Sequence, residues 1–284
     1  MKAVMSIGEP PWNRTEILDH LDEFAALYDS RPIRDNRGGM KAPHMFAVWF
    51  MARHLSPDLI VESGVWKGQS TWLLEKACPK AKLVSIDLDL GHRQYISDRA
   101  VYSDRDFSEQ DWLDVTDRSL VFFDDHQNAY QRLQQCKWFG FKHVIFEDNY
   151  PISQGDCYSL KKAFANAGFE PVHSQRVGIN SVLSRVLTRS ARLFGVGPVS
   201  LASRYDAARI RPNDIDSRML QEHLEIYYEF PPIFRTSRTR WGDDWDDISY
   251  PTPEPLLRQP TKSTHQVFVD EAMCYTWICY VKLR

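Results

Sequence analysis

Residues 58–71 read Asp-Leu-Ile-Val-Glu-Ser-Gly-Val-Trp-Lys-Gly-Gln-Ser-Thr, and the fold turns on this stretch. Leu59, Ile60 and Val61 form a short apolar run with two β-branched residues, which predicts a buried parallel strand. Glu62 ends the run, Gly64 and Gly68 break the chain, and Ser70 stands where an N-cap opens a helix through Trp72, Leu73 and Leu74. Strand, glycine turn and helix in that order build a nucleotide-binding crevice, because ligands bind beyond the carboxyl ends of parallel strands. A side chain at Gly64 is expected to hold the backbone away from a ligand, and Gly68 is free to take a positive φ. The bland alternative is a strand-to-helix turn that binds nothing.

The strict dinucleotide fingerprint G-x-G-x-x-G is absent, and Lys67 precedes Gly68 instead of following it, so no phosphate-gripping lysine is indicated. What remains, E-x-G-x-x-x-G-x-S, resembles the glycine motif of class I S-adenosylmethionine-dependent methyltransferases. The resemblance implies that Glu62, Gly64, Gly68 and Ser70 surround the cofactor. By position, it also implies that Gly39-Met40-Lys41 lies over the methionine part. A second strand, residues 81–86, ends at Asp87 and Asp89. An acid at this strand tip, some 20 residues past the glycines, suits the two hydroxyls of a ribose. Asp87 fits best because it directly follows Val84-Ser85-Ile86, and it matches the ribose-binding acid of the family.

Residues 119–149 carry a second signal. Ser119-Leu-Val-Phe-Phe123 ends in Asp124-Asp125-His126, and His143-Val-Ile-Phe146 ends in Glu147-Asp148-Asn149. Neighbouring strands lie about 5 Å apart, so both clusters converge on the rim that holds the glycine turn. Carboxylates crowded in this way repel unless a cation sits between them, and oxygen donors suit magnesium, manganese or calcium better than zinc. The alternative is that Asp and Asn at strand ends only cap the next helix. The pattern resembles the metal site of catechol- and caffeoyl-type O-methyltransferases, which implies Asp124, Asp148 and Asn149 as ligands and Tyr130 as a downstream tyrosine. It is also similar to cephalosporin hydroxylase-type and macrolide sugar methyltransferase proteins, which implies Asp124 or Asp125, His126, Glu147 and Asp148. Asp124 and Asp148 satisfy both registers. The catechol-type enzymes place a basic lysine three residues after the first aspartate, where this chain has Gln127. That leaves His126, or the metal's effect on the hydroxyl, to remove the proton.

Outward from these signals, residues 15–28 pattern as an amphipathic helix with Thr15 as N-cap, residues 30–43 as a polar loop, and residues 44–54 as a helix apolar nearly all round. A third strand is expected near 99–103, with Asp104 or Asp106 near the adenine, and short helices at 109–115, 128–138 and 158–166. Residues 180–194 pattern as a basic amphipathic helix with Arg185, Arg189 and Arg192. Residues 214–228 read as helix, and 233–260, rich in Arg, Trp, Asp and Pro, as a long loop suited to a substrate lid. Residues 266–270 and 274–283 alternate well enough for a closing β-hairpin.

The chain has 284 residues, 43% hydrophobic and 13% aromatic, enough for a substantial core. A formal charge of −3 gives no reason to expect nucleic-acid binding. Five scattered cysteines without a C-x-x-C pair support neither a disulfide framework nor a zinc site. The N-terminus is too soon broken to read as a secretory signal, and no apolar run approaches a membrane span, so a cytoplasmic protein is expected. The expectation is thus a Rossmann-like α/β fold with a mostly parallel seven-stranded sheet and a C-terminal antiparallel hairpin. Its segments would be a helical cap (1–57), a cofactor- and metal-binding core (58–171), an insertion that meets substrate (172–265) and the hairpin (266–284). By resemblance, it would bind S-adenosylmethionine with Mg2+ or another divalent cation and methylate a hydroxyl of a small molecule or sugar. A hydroxylase-type enzyme of a natural-product or glycan pathway, and a non-catalytic nucleoside-binding module, are the alternatives. Assembly into a homo-oligomer is left open.

Overall fold

A computed structural model describes residues 3–152, 154–168 and 212–284. The apolar run of residues 59–61 lies in a strand, β1 (Leu59–Ser63), buried along its whole length. It pairs in parallel with β2 (Lys82–Ile86) on one side and β4 (Ser119–Phe123) on the other, while β3 (Ala100–Ser103) extends the sheet beyond β2. β5 (His143–Phe146) runs parallel to β4, and β7 (Cys279–Leu283) lies antiparallel between β5 and β6 (Leu224–Glu229). The strand order is therefore β3-β2-β1-β4-β5-β7-β6. Chain order reverses between β1 and β4, and such a switch point opens a crevice at the carboxyl ends of the strands.

Alternate residues of each strand face opposite layers, as the two-residue period requires. Ile60, Leu120, Phe122 and Ile145 join one core with α1 (Arg14–Asp19), α2 (Leu21–Tyr28), α3 (Ala42–Leu55) and α4 (Gln69–Ala77). Val61, Val121, Phe123 and Val144 join the other with α5 (Ala129–Phe139), α6 (Leu160–Phe164) and α7 (Ile215–His223). Helix α3 is buried from Ala42 to Ala52 because it is sandwiched between the sheet and aromatic side chains of α2 and α8 (Gln266–Asp270). Each buried Phe in that layer contributes roughly 1.5–3 kcal/mol of hydrophobic stabilisation.

Several local expectations are corrected. Asn13, not Thr15, caps α1, in a capping box with Glu16, and the expected single helix breaks at His20 into α1 and α2. Gly68 (φ +89°), not Ser70, precedes α4. Residues 109–115 form no helix; a single 3-10 turn at Phe107–Glu109 precedes an irregular segment held by the Trp112 indole, whose N–H donates to the Phe107 carbonyl. The helix over 214–228 ends at His223, because Leu224 to Glu229 pairs with β7 instead, and sheet pairing overrides the helical pattern. The closing antiparallel pair exists, but it joins β7 to the distant β6 and not to residues 266–270. Those residues form α8, with Phe268 buried against Phe24 and Phe46. The basic helix expected at 180–194 lies outside the described residues.

Candidate active site

The turn after β1 is built by backbone crowding. Gly64 has φ +101°, and a Cβ there would stand 2.1 Å from the Asp124 carbonyl oxygen. A side chain would thus collide first with the end of β4, not with a ligand, which corrects the sequence-based reason for this glycine. Gly68 has φ +89°, and a Cβ would stand 2.3 Å from the Tyr95 carbonyl. Between the glycines, the Val65 and Trp66 amides donate to one Asp87 oxygen at 3.0 and 2.8 Å, and the Asp89 amide donates to the other at 3.0 Å. Asp87 therefore holds the turn in shape while lining the cavity beside it.

That turn-side cavity, about 380 Å3, runs between the glycine turn and the ends of β2 and β4, within the range of small-molecule sites. Residues 33–39 reach over it and are tied down by the turn: the Trp66 indole donates to the Arg37 carbonyl at 3.4 Å, Lys67 to the Asp35 carbonyl at 3.0 Å, and the Ile33 amide to Gln69 at 3.1 Å. At the cavity's far side, buried Arg132 donates two hydrogen bonds to Asp106, at 2.9 and 2.6 Å, and one to Asp125 at 3.0 Å. Ser63 donates to Asp125 at 2.8 Å. The guanidinium holds Asp106 well below the usual carboxylate range. Asp125 is thus part of a structural network, and of the two adjacent aspartates only Asp124 enters the cluster of potential ligand atoms below.

Asp124, His126 and Asp148 bring potential ligand atoms within 4.8 Å of one another. Their strands set this up: β4 and β5 pair in register, and Asp124 and Glu147 follow their last paired residues. Asp148 is 6% exposed, yet neither of its carboxylate oxygens accepts a hydrogen bond. Burial, then the neighbouring Glu147, push its pKa well up; burial, Glu147 and Asp148 do the same to Asp124. His126, at φ +52°, places Nδ1 3.0 Å from Asp156 and 3.3 Å from Asp148. The hydrogen bond to Asp156 and the charges of Asp148 and Asp124 raise its pKa to about 11.

Glu147 is held from below by His44 of α3. The Thr276 amide donates to His44 Nε2 at 2.9 Å, so the ring proton resides on Nδ1, which donates to Glu147. Complete burial lowers the His44 pKa to about 3 and keeps the ring neutral. Asn149 turns away: its side-chain oxygen accepts from the Lys161 amide and its NH2 donates to the Tyr227 hydroxyl, both at 2.9 Å. Fully buried and committed on both atoms, it ties α6 to β6 and leaves the expected ligand set. Glu62 also departs from expectation. It lies under the turn, accepting from Thr71 and Ser85 at 2.6 Å each, and burial raises its pKa. Ser70 lines only a small hollow behind the turn, and Lys41 only precedes α3 without lining a described cavity.

A second, acid-lined cavity of about 320 Å3 shares Gly38, Gly39, Asp124 and His126 with the first. Met40, Glu147, Asp148, Tyr150 and Asp156 complete its inner wall, and Arg240 and Trp241 come from the long loop after β6. His44 and Arg240 escape the sequence reading because each is far in sequence from the motif it serves, and Arg132 and Asp156, though seven and eight residues from Asp125 and Asp148, match no spacing rule. The only sequence signal was the length of the 233–260 loop itself.

No family model matches the chain, and no curated protein matches it. Among solved structures, it is similar to CmcI with SAH, at 19% identity over 52% of this chain and 81% of that one, TM-score 0.34. It is also similar to the SAH-bound methyltransferase PaMTH1 of Podospora anserina, at 11% identity over 98% and 89%, TM-score 0.42. A third is the O-methyltransferase TomG of Streptomyces achromogenes with SAM, at 16% identity over 65% and 80%, TM-score 0.35. Likeness of this degree carries no activity across to the present chain, so its function must be argued from its own side chains.

Proposed function

We propose that the chain is an S-adenosylmethionine-dependent methyltransferase that acts on a hydroxyl of a small molecule or sugar with the help of a divalent cation. The observation that carries this reading is the meeting of two cavities at Asp124: one beside a strand–glycine turn–helix at the sheet's switch point, the other floored by the buried Asp148, whose oxygens accept no hydrogen bond. A buried carboxylate that accepts no hydrogen bond is costly, and the like charges beside it exceed what the one ion pair with His126, at 3.3 Å, offsets, so the donor set fits a hard cation. Asp124, Asp148 and Glu147 would hold it, with His44 fixing the orientation of Glu147 through the ring proton on Nδ1. A bound divalent ion lowers the pKa of a hydroxyl it touches and stabilises the developing alkoxide.

On the other side of Asp124, the turn and Asp87 would hold the nucleoside, and residues 38–40 would keep water from the reacting end. Bound S-adenosylmethionine would supply an electrophilic methyl group, leaving as S-adenosylhomocysteine, with the proton of the acceptor hydroxyl passing to water. Gln127 carries no basic atom, so the chain's contribution is alignment and field more than general-base strength. Calorimetry with S-adenosylhomocysteine and with Mg2+ tests the reading. Binding of both is expected; failure of S-adenosylhomocysteine to bind would falsify the methyltransferase assignment, and failure of Mg2+ alone would remove the metal from it.

A further inference from the structure

In the loop after β6, Arg235, Arg238 and Arg240 stand close together in sequence, and the first two are spent locally. Arg235 pairs with Asp247 at 2.5 Å and lies 4.6 Å over the Trp245 ring, while Arg238 pairs with Asp244 at 3.7 Å. Arg240 pairs with no carboxylate among the described residues, and it alone among the described lysines and arginines lines the acid-lined cavity. Its backbone is fixed by a tight turn: the Thr239 amide donates to the Asp243 carbonyl at 2.8 Å and the Gly242 amide to the Thr239 carbonyl at 2.9 Å. Thr239 is buried, which anchors the turn. Trp241, 43% exposed, sits edge-on to Tyr150 at 5.3 Å, so an indole stands beside the guanidinium at the same cavity.

We propose that this cavity selects an acceptor bearing an anionic group on the ring that carries the reacting hydroxyl, with Arg240 pairing the anion and Trp241 providing a stacking surface for the ring. This rests on the methyltransferase reading. Position favours it: Arg240 stands at the cavity wall with no carboxylate partner among the described residues, so its charge is open to an anion on the acceptor. A guanidinium reads a carboxylate with two parallel hydrogen bonds, whereas a neutral ring offers it nothing comparable. Indoles stack on aromatic and sugar rings alike, so the shared chemistry is a hydroxylated ring acid.

Calorimetry on the full chain with Mg2+ and S-adenosylhomocysteine present distinguishes the sources: 3,4-dihydroxybenzoate against 1,2-dihydroxybenzene for an aromatic acid, glucuronate against glucose for a sugar acid. The anionic member of at least one pair should bind about tenfold more tightly than its neutral counterpart, the effect of a charged hydrogen bond. Arg240→Met should erase that preference and leave S-adenosylhomocysteine affinity unchanged, Arg240→Lys should keep part of it, and Trp241→Ala should weaken both members of the pair alike. Equal binding within both pairs, a preference that survives Arg240→Met, or binding of none of the four overturns the proposal while leaving the methyltransferase reading standing if S-adenosylhomocysteine still binds. Failure of S-adenosylhomocysteine to bind overturns both.

Discussion

The two cavities that meet at Asp124 treat their acids in opposite ways. On the turn side three carboxylates have work within the chain: Asp87 takes three backbone amides, and Asp106 and Asp125 share the Arg132 guanidinium. On the other side Asp148 is more deeply buried, with neither oxygen accepting a hydrogen bond, and burial and the neighbouring Glu147 push the pKa of both Asp124 and Asp148 up. Acidity at a strand end is therefore not one signal but two. Where the chain's own donors satisfy the acid, it builds the site; Asp148, which accepts no hydrogen bond and has the His126 ring 3.3 Å away, is left open to a cation.

The largest expected effect breaks the satisfied side. Arg132→Met leaves Asp106 and Asp125 without their cation, and chemical denaturation should report a loss of about 3 kcal/mol, the cost of breaking a largely buried pair. Next comes the unsatisfied side. Asp148→Asn should lower Mg2+ affinity about 100-fold by calorimetry, yet in EDTA it should raise the melting temperature, because it removes a repelling buried charge. If Asp148→Asn instead destabilises the EDTA-treated protein as Arg132→Met does, the contrast between the two cavities is false. A smaller effect belongs to Asp87→Ala, which should weaken S-adenosylhomocysteine about tenfold through a loosened turn and a lost ribose partner while Mg2+ affinity stays unchanged.

The last is a pH effect at His126. Its folded pKa, about 11, stands above the ordinary histidine value, so the folded chain binds the extra proton and gains stability from it. That contribution is complete below about pH 6.5 and is lost as pH rises towards 11. Melting temperatures recorded in EDTA across pH 6–10 should therefore fall more steeply for the wild type than for His126→Gln. Parallel curves would mean that Asp156 and Asp148 do not hold the imidazolium.

Much of this was legible in the sequence where the signal was local. The β-branched run before Gly64, the strand ends at Asp124 and Glu147, and the acid after β2 are all readable from short windows, since a buried parallel strand and its breaker lie within a few residues. The closing antiparallel pair was misassigned because β6 and β7 lie some 50 residues apart, and alternation in residues 266–270 imitates a strand that instead folds as a helix to bury Phe268. Asn149 and Glu62 look like ligands by spacing. Only the packed structure shows Asn149 bonding Tyr227 and Lys161, and Glu62 closed beneath the turn by Thr71 and Ser85.

By itself, then, the sequence determined the strand–turn–helix at 58–77 and the clustering of acids at two neighbouring strand ends, because backbone propensity and hydrophobic period act over a few residues. Only the tertiary structure decided which acids are neutralised from within, that His44 steadies Glu147, and that Arg240 and Trp241 face the acids from a distant loop. Burial and charge pairing depend on who the neighbours are, and those neighbours come from segments that only folding brings together.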